Sequence, residues 1–549
     1  MASREHFDAV VVGSGFGGSV TACRLAAAGR RVCLLERGRA YPPGSFARTP
    51  RQMAANFWNP SEGGHGLFQA WAFRGIDSVV SAGLGGGSLI YANVLLRKDE
   101  RWFDGWPVTR EDLDPHYDRV EAMMRPQRYP IDQEPYGSTP KTVAFREAAE
   151  KEGLSWFLPP LAVTFANPGR PAVPGEPIVD DAGRTGDNIH GRTRYTCRLV
   201  AECDVGCNYG AKNSLDYTYL TEAVRHGLDV RTRCEVRSFE PAERGYAVRY
   251  VEHRPEVEGR RTDTSALPLV SISADRLVLA AGVFGSTYLL LRNRAAFPHL
   301  SPALGTRFCG NGDLLGFVSG PKGSRDLDPM TGSVITSSIR VPDSADGGDG
   351  PGFYVQDGGF PPFVGWALEA ADTPAELLRG LRFLLRRARA AVEDQPRSDI
   401  DDELSALLGD ARTSSGTMVM LGMGRDTPDG VMSLPGRWLQ LDWTLATSRA
   451  YFDRVKATMA RIAGALEADF TVNPEWYLRR VITVHGLGGC PMGRNDREGV
   501  VDPDGEVFHY PGLHVADGSV VPGPVGPNPS LTIAALADRF ADRMLARPR

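Results

Sequence analysis

The chain has 549 residues, 42% hydrophobic and 23% charged, which excludes a disordered or fibrous protein and leaves room for two or three domains. Its 62 basic and 67 acidic residues give a formal net charge of −5, so no general field holds nucleic acid. Eight cysteines are too few for a disulfide scaffold, and no stretch of 18 uncharged apolar residues appears. With no export segment at the N-terminus, the expectation is a cytoplasmic protein without nucleic-acid partners or stable membrane insertion.

In chain order, the opening reads strand, glycine turn, helix, strand. Residues 9–12 are a short β-branched run of the kind buried on both faces of a parallel sheet. Gly13-Ser14-Gly15-Phe16-Gly17-Gly18 follows, then a small-residue helix over 19–28 closed by Gly29, then a strand over 31–36. This βαβ unit makes the fold class α/β, or α+β over the whole chain. A second glycine-rich stretch runs from Ser81 to Ser88. From about 102 to 194, proline and charge with weak periodicity predict excursions rather than sheet. Strand patterns return at 229–236 and 277–282, the second leading into a helix over 286–293. Residues 312–475 change character, with a Gly/Pro/Asp-rich loop at 342–352 and a helix over 374–392 that carries leucines on one face and arginines on the other. The end, at 511–518 and from Asn528 to Leu536, is strand, loop, helix again. This predicts a discontinuous Rossmann-like domain (1–110, 195–311 and 476–549) with an inserted substrate-binding cap (111–194 and 312–475).

In Gly13-x-Gly15-x-x-Gly18 the first glycine permits a tight turn, the second lets a pyrophosphate approach the backbone, and the third lets the helix pack on the sheet. The helix N-terminus offers unpaired N–H groups and a positive dipole end. Glu36, at the end of the next strand, can accept both ribose hydroxyls and repel a 2′-phosphate. These features predict a dinucleotide site without separating NAD from FAD.

Several long motifs resemble those of the glucose-methanol-choline (GMC) oxidoreductases, near their cholesterol-oxidase-like branch. They are 11–38, Gly83-Leu-Gly-Gly-Gly-Ser-Leu-Ile-Tyr-Ala-Asn93, Cys207-Asn-Tyr-Gly-Ala-Lys-Asn-Ser214, 280–291 and 485–536, in the family's order. Residues 312–475, where this family makes its substrate choice, match poorly. The resemblance implies noncovalent FAD. Gly13, Gly15, Gly18 and Glu36 would hold its ADP half, with Val236 offering backbone contacts to adenine. Gly86, Ser88 and Asn93 would lie along the pyrophosphate and flavin, and Asp517 and Gly518 at the ribityl and phosphate region. Ser14, Phe16, Gly17 and Ala281 join the cofactor site, and Pro529 opens a helix whose positive end faces the flavin edge where charge accumulates on reduction.

For catalysis the resemblance implies His485, wedged among glycines, as the base that takes the hydroxyl proton while flavin N5 takes the hydride. Asn528 would donate to the substrate oxygen; before Pro529 and an apolar helix it also reads as an N-cap. The family usually has Pro after this histidine, and here Gly486 stands. Cholesterol oxidases carry a buried Glu used in isomerisation; the alignment places Arg412-Thr-Ser-Ser-Gly-Thr417 there, without a carboxylate, which speaks against cholesterol as substrate and more strongly against coupled isomerisation. Phe353, Tyr354, Phe360, Phe363, Trp366, Met418, Met420 and Met423 suit a greasy pocket or a packed core. The expected substrate is a small-molecule alcohol, bulky and mostly apolar, with electrons passing to O2 (giving H2O2) or another acceptor. The alternative is a lyase or decarboxylase on the same fold. A hydrolase is excluded by the lack of any Gly-x-Ser-x-Gly. Cys197, Cys203 and Cys207 fit no zinc or iron–sulfur spacing, which predicts reduced thiols and no metal site.

Overall fold

A computed structural model describes residues 5–180, 183–320, 327–360 and 417–547. The expected helix at 374–392, Phe363, Trp366 and the residues Arg412 to Gly416 lie outside the described residues.

The main sheet has strands in the order Asp229–Arg231, Val32–Leu35, His6–Val12, Val270–Leu279, Tyr246–Glu252 and Cys234–Pro241, with Leu513–Val515 also paired to Val270–Leu279. The four central pairings are parallel, and the 234–279 portion is an antiparallel meander. Register places Val12 opposite both Leu35 and Leu279, and Leu279 opposite Val515. Arg231 pairs with Leu35, so five parallel strands end at one edge, and the loops after them converge there, where open α/β sheets bind ligands. The first helix, Phe16–Ala27, buries nine small or apolar residues against this sheet and the C-terminal helix Ser530–Ala546. Gly29, at positive φ, closes it as the sequence predicts.

The helix expected at 286–293 begins four residues earlier, as Gly282–Arg292. Its first turn is capped from a distance, by Asp517 accepting from the Gly282 N–H, and no local pattern announces that. The stretch 102–194 also differs from expectation, because it contains the helices Arg110–Met124 and Pro140–Lys151. The first begins where the cap was expected, yet it packs on the nucleotide-binding unit. Leu113, Tyr117, Val120 and Met124 join that unit's core, His116 pairs with Asp538 at 2.7 Å, and Tyr117 hydrogen-bonds Thr532.

The second sheet is antiparallel, in the order Asp469–Val472, Leu314–Ser319, Thr417–Gly424, Phe353–Gly358, Ser338–Val341 and Ser155–Phe157. Helices 140–151 and Arg449–Ala465 cover one face, sharing a core with Phe353, Val355, Met418 and Met420. Alternation along the central strand sends Tyr354 and Gln356 to the other face, toward the nucleotide-binding unit. Phe353, Tyr354, Met418, Met420 and Met423 are thus fully packed core residues, so for these five the packing reading replaces the pocket reading. Cys197 and Cys203 lie buried in a smaller core, and burial raises both thiols. A three-stranded sheet, Phe68–Ala72, Ile76–Ser81 and Val481–Thr483, joins the two units and delivers the chain to residue 485.

Candidate active site

At the converging strand ends the glycine turn is held by its own backbone. Gly13 N donates to Leu35 O, Ala280 N to Val12 O, and Ala516 N to Leu279 O. Gly17 has no room for a side chain: a Cβ there would fall 1.4 Å from Ala516 O. Gly86, at φ +53, backs onto Gly15, and a Cβ would lie 2.5 Å from the Gly15 Cα. The two glycine-rich motifs are therefore one joint. Ser14 ties it together, donating its hydroxyl to Glu36 Oε2 at 2.5 Å and accepting from Gly85 N at 3.0 Å.

Glu36 is buried, its Oε2 also accepting from Ser14 N and its Oε1 from Gly38 N. Its carbonyl accepts from Cys234 N, which brings Val236 to the same end of the site. Ser88 donates to Gly85 O and accepts from Leu215 N, so its hydroxyl turns into the protein. Asp517 fills both oxygens, one from Gly282 N and Ser286 Oγ, the other from Ser519 N and Oγ; burial raises its carboxyl. Ala281 N donates to Ser286 Oγ, and Gly518 O accepts from Gly488 N. Phe16 meets Tyr91 edge-on at 5.4 Å.

These residues fit a dinucleotide. Gly15 heads the first helix with no side-chain cap, so the first-turn N–H groups are available to an anion. Asn93, at φ +71, is buried with both carboxamide atoms unpartnered among the described residues, which leaves two polar groups for a ligand to satisfy.

Further along, His485 follows the joining strand. Its Nδ1 lies 2.7 Å from Asp313 Oδ1, while Asp313 Oδ2 accepts from Val484 N and His485 N at 2.9 and 3.2 Å and lies 2.9 Å from Thr483 Oγ1. A carboxylate engaged by so many donors is an acceptor, so the Nδ1–H points at Asp313, and in the neutral ring Nε2 is the atom that can accept a proton. Asn528 does not cap the C-terminal helix: Pro529 is the N-cap residue and no side-chain cap bond forms. Its Oδ1 instead accepts from Gln356 Nε2 at 2.9 Å, and its Nδ2 makes no hydrogen bond among the described residues.

One turn governs both groups. Two residues before Asp313, Asn311 accepts from Gly526 N at 2.9 Å and donates to Pro527 O at 3.1 Å, holding the loop that carries Asn528. Lys98, buried and lowered to about 7 by desolvation, holds the same loop through Pro524 O and Val525 O. Asp426 supports the turn from below by accepting from Gly310 N, and desolvation pushes its carboxyl up to about 7. Asp313, Asn311, Gln356, Lys98 and Asp426 escaped the sequence reading. Asp313 lies 172 residues from His485, and only the Gly-Asn-Gly-Asp run at 310–313, a polar glycine turn before a strand, offered a signal.

Comparison with known proteins agrees along the whole chain. The profile described as GMC oxidoreductase matches residues 181–309 and 368–537, and that of an NAD(P)-binding Rossmann-like domain matches 11–52. A cholesterol oxidase of Mycobacterium tuberculosis is 31% identical, covering 98% of this chain and 91% of its own. One of Acinetobacter baumannii is 27% identical, covering 97% and 93%. Among solved structures, a pyridoxine 4-oxidase from Mesorbium loti superposes with a TM-score of 0.58 at 17% identity, covering 99% of this chain and all of its own. Fold, dinucleotide turn and near full-length similarity together place the chain in the GMC oxidoreductase family of FAD-dependent alcohol oxidoreductases.

Proposed function

We propose that this protein oxidises the CH–OH group of a bulky, largely apolar alcohol to a carbonyl, with His485 as the base and Asn528 holding the substrate oxygen. The observation that carries this is the pairing of half-tethered groups: Nδ1 of His485 fixed by Asp313 and Oδ1 of Asn528 fixed by Gln356, with both tethered through residues 311–313. Nε2 is left to accept the hydroxyl proton, and Nδ2 is left to donate to the oxygen as negative charge builds on it. Asp313 stabilises the imidazolium that results and keeps the ring in the right tautomer. Noncovalent FAD, held by the Gly13–Gly18 turn, Glu36 and Asn93, supplies the two-electron acceptor when bound. The named activities of the relatives, cholesterol oxidases among them, support a bulky lipophilic alcohol and O2 as the final acceptor. Gln356, an amide, faces Asn528 from the cap sheet, and an amide cannot serve as a carboxylate base.

The test is anaerobic mixing of the purified flavoprotein with a panel of sterols and long-chain alcohols while the flavin's visible band is followed. Bleaching is expected with at least one, slowed by roughly 10²–10⁴ in His485→Ala. No bleaching, or an equally fast variant, overturns the reading; product formed without any electron acceptor points to lyase or decarboxylase chemistry.

A further inference from the structure

The loop that carries Asn528 cannot hold itself. Pro522-Gly-Pro-Val-Gly-Pro-Asn-Pro529 has no N–H at four of its eight positions, and among the described residues no backbone–backbone hydrogen bond involves 522–528. All of 522–528 except Pro524 are nevertheless buried, so the carbonyls need donors from elsewhere. Two side chains supply them. Asn311 donates to Gly526 O and Pro527 O at 3.3 and 3.1 Å, and Lys98 to Pro524 O and Val525 O at 2.8 and 3.2 Å. Trp102 packs on the same loop, its ring so close that a Cβ on Gly526 would fall 2.3 Å from it.

Of the two, Lys98 is the costly one. It is fully buried, and among the described residues no carboxylate pairs with it. The two acids that face it are engaged elsewhere, Asp99 with Arg340 and Asp104 with Arg425. Cys309 and the Arg425 guanidinium also face it, and Arg110 donates to its backbone carbonyl. The remaining side is aromatic, with the rings of Trp106 and Phe103 at 4.7 and 5.5 Å from the ammonium. A buried ammonium without a counter-ion is expensive, and desolvation lowers this one to about 7. What the charge adds is strength, since charge-assisted bonds are roughly twice as strong as neutral ones.

We propose that Lys98 is the positioning residue for Asn528: its ammonium fixes the two carbonyls at the head of the proline loop, and through them the direction in which the carboxamide meets the substrate oxygen. This rests on the proposed alcohol oxidation and deepens it. When the ammonium loses its proton the two bonds lose their charge assistance and the loop slackens. Oxidation then slows on the alkaline side, opposite to the rise that a histidine base gives.

The test follows anaerobic flavin bleaching in the holoenzyme from about pH 6 to about pH 9, with 1-octanol or cholesterol as probe, whichever the wild type oxidises faster. The limiting rate reads positioning and the half-saturating concentration reads binding. In the wild type the limiting rate is expected to fall at least about fivefold above about pH 7 while half-saturation moves less than about twofold. Lys98→Met is expected to be roughly 10–100-fold slower at about pH 6, to show no alkaline fall, and to keep its flavin and its half-saturation within about threefold. Asp426→Asn removes the other group that titrates near 7 and should keep the fall. The proposal is overturned by Lys98→Met as fast as the wild type or falling in the same way, or by half-saturation rising as much as the rate declines. A wild type without the fall, or a fall that disappears in Asp426→Asn, also overturns it, and these two profiles decide alone if Lys98→Met loses its flavin. If the wild type bleaches with neither probe nor any alcohol of the panel, the oxidation reading itself fails. If it bleaches, more slowly in His485→Ala, while Lys98→Met behaves as the wild type, only the positioning role fails.

Discussion

At the glycine turn, Ser88 and Asp517 spend their hydrogen bonds on the protein itself, Glu36 is held by Ser14 and Gly38 N, and what else faces a ligand is backbone, a helix end and the carboxamide of Asn93. At the reacting end the arrangement is inverted. His485 and Asn528 each give one side-chain atom to the protein, the other being the one the proposed reaction uses, and their tethers come from segments far away in sequence. One region is a backbone surface closed to added atoms at Gly13, Gly17, Gly18 and Gly86; the other is a set of side chains, each only as good as its tether.

The comparison breaks most directly at Gly17. Gly17→Ala drives a Cβ into Ala516 O, backbone against backbone, with nothing flexible to yield. A loss of at least about 3 kcal/mol is expected, read as a large drop in melting temperature and absence of flavin absorbance. A stable, yellow variant would show that the joint is looser than this packing requires. At the other end Asp313→Asn leaves volume intact but offers the ring an NH2 group, which favours the proton on Nε2. A fall in kcat of roughly 10²–10⁴ is expected with flavin content and melting little changed. Gln356→Leu releases the Asn528 amide to rotate, and about a tenfold fall in kcat/KM is expected, together with about 1–3 kcal/mol of destabilisation from the acceptor left unpaired. If Asp313→Asn or Gln356→Leu left kinetics untouched, the tethers would be structural only.

The same contrast explains what could be read in advance. The nucleotide end is local: Gly13 to Gly18, the small-residue helix and Glu36 occur within one βαβ unit, so spacing alone locates them. His485 and Asn528 were legible through family motifs, but Asp313, Asn311 and Gln356 are not, because each acts across well over a hundred residues and only the packing of the cap sheet on the nucleotide-binding unit brings them in. The helix at 110–124 was missed for a related reason. Its composition is charged and only Leu113, Tyr117, Val120 and Met124 mark a buried stripe, which weak periodicity conceals.

A smaller effect separates the regions by pH. Asp426 beneath the 310–313 turn has its carboxyl raised from 3.8 to about 7, so the folded state holds a proton that the unfolded chain has lost between those values. Its contribution to stability is full below about pH 4, declines as pH rises, and is gone above about 7. Asp426→Asn keeps an acceptor for Gly310 N and does not titrate. The variant should therefore gain on the wild type by on the order of 3 kcal/mol between pH 5 and 8, measured by denaturant unfolding at both. Asp517 is shifted in the same direction, so some slope remains in the variant.

The smallest expected effect is at Gly486, where the family's usual proline is missing. The residue is not in the left-handed region, and a Cβ would meet Phe308 and Phe284 at 3.4 and 3.7 Å, ordinary to slightly close contact with side-chain edges. Gly486→Ala should then stabilise by about 0.4–1 kcal/mol through the unfolded chain, a rise in melting temperature of about 1–3 °C. Because Asp313, not the following residue, fixes the imidazole, kcat should stay within about twofold. A tenfold fall in kcat with the same gain in melting temperature would mean that freedom of the chain at Gly486 is part of how His485 reaches the substrate, and that the tether alone does not place the ring.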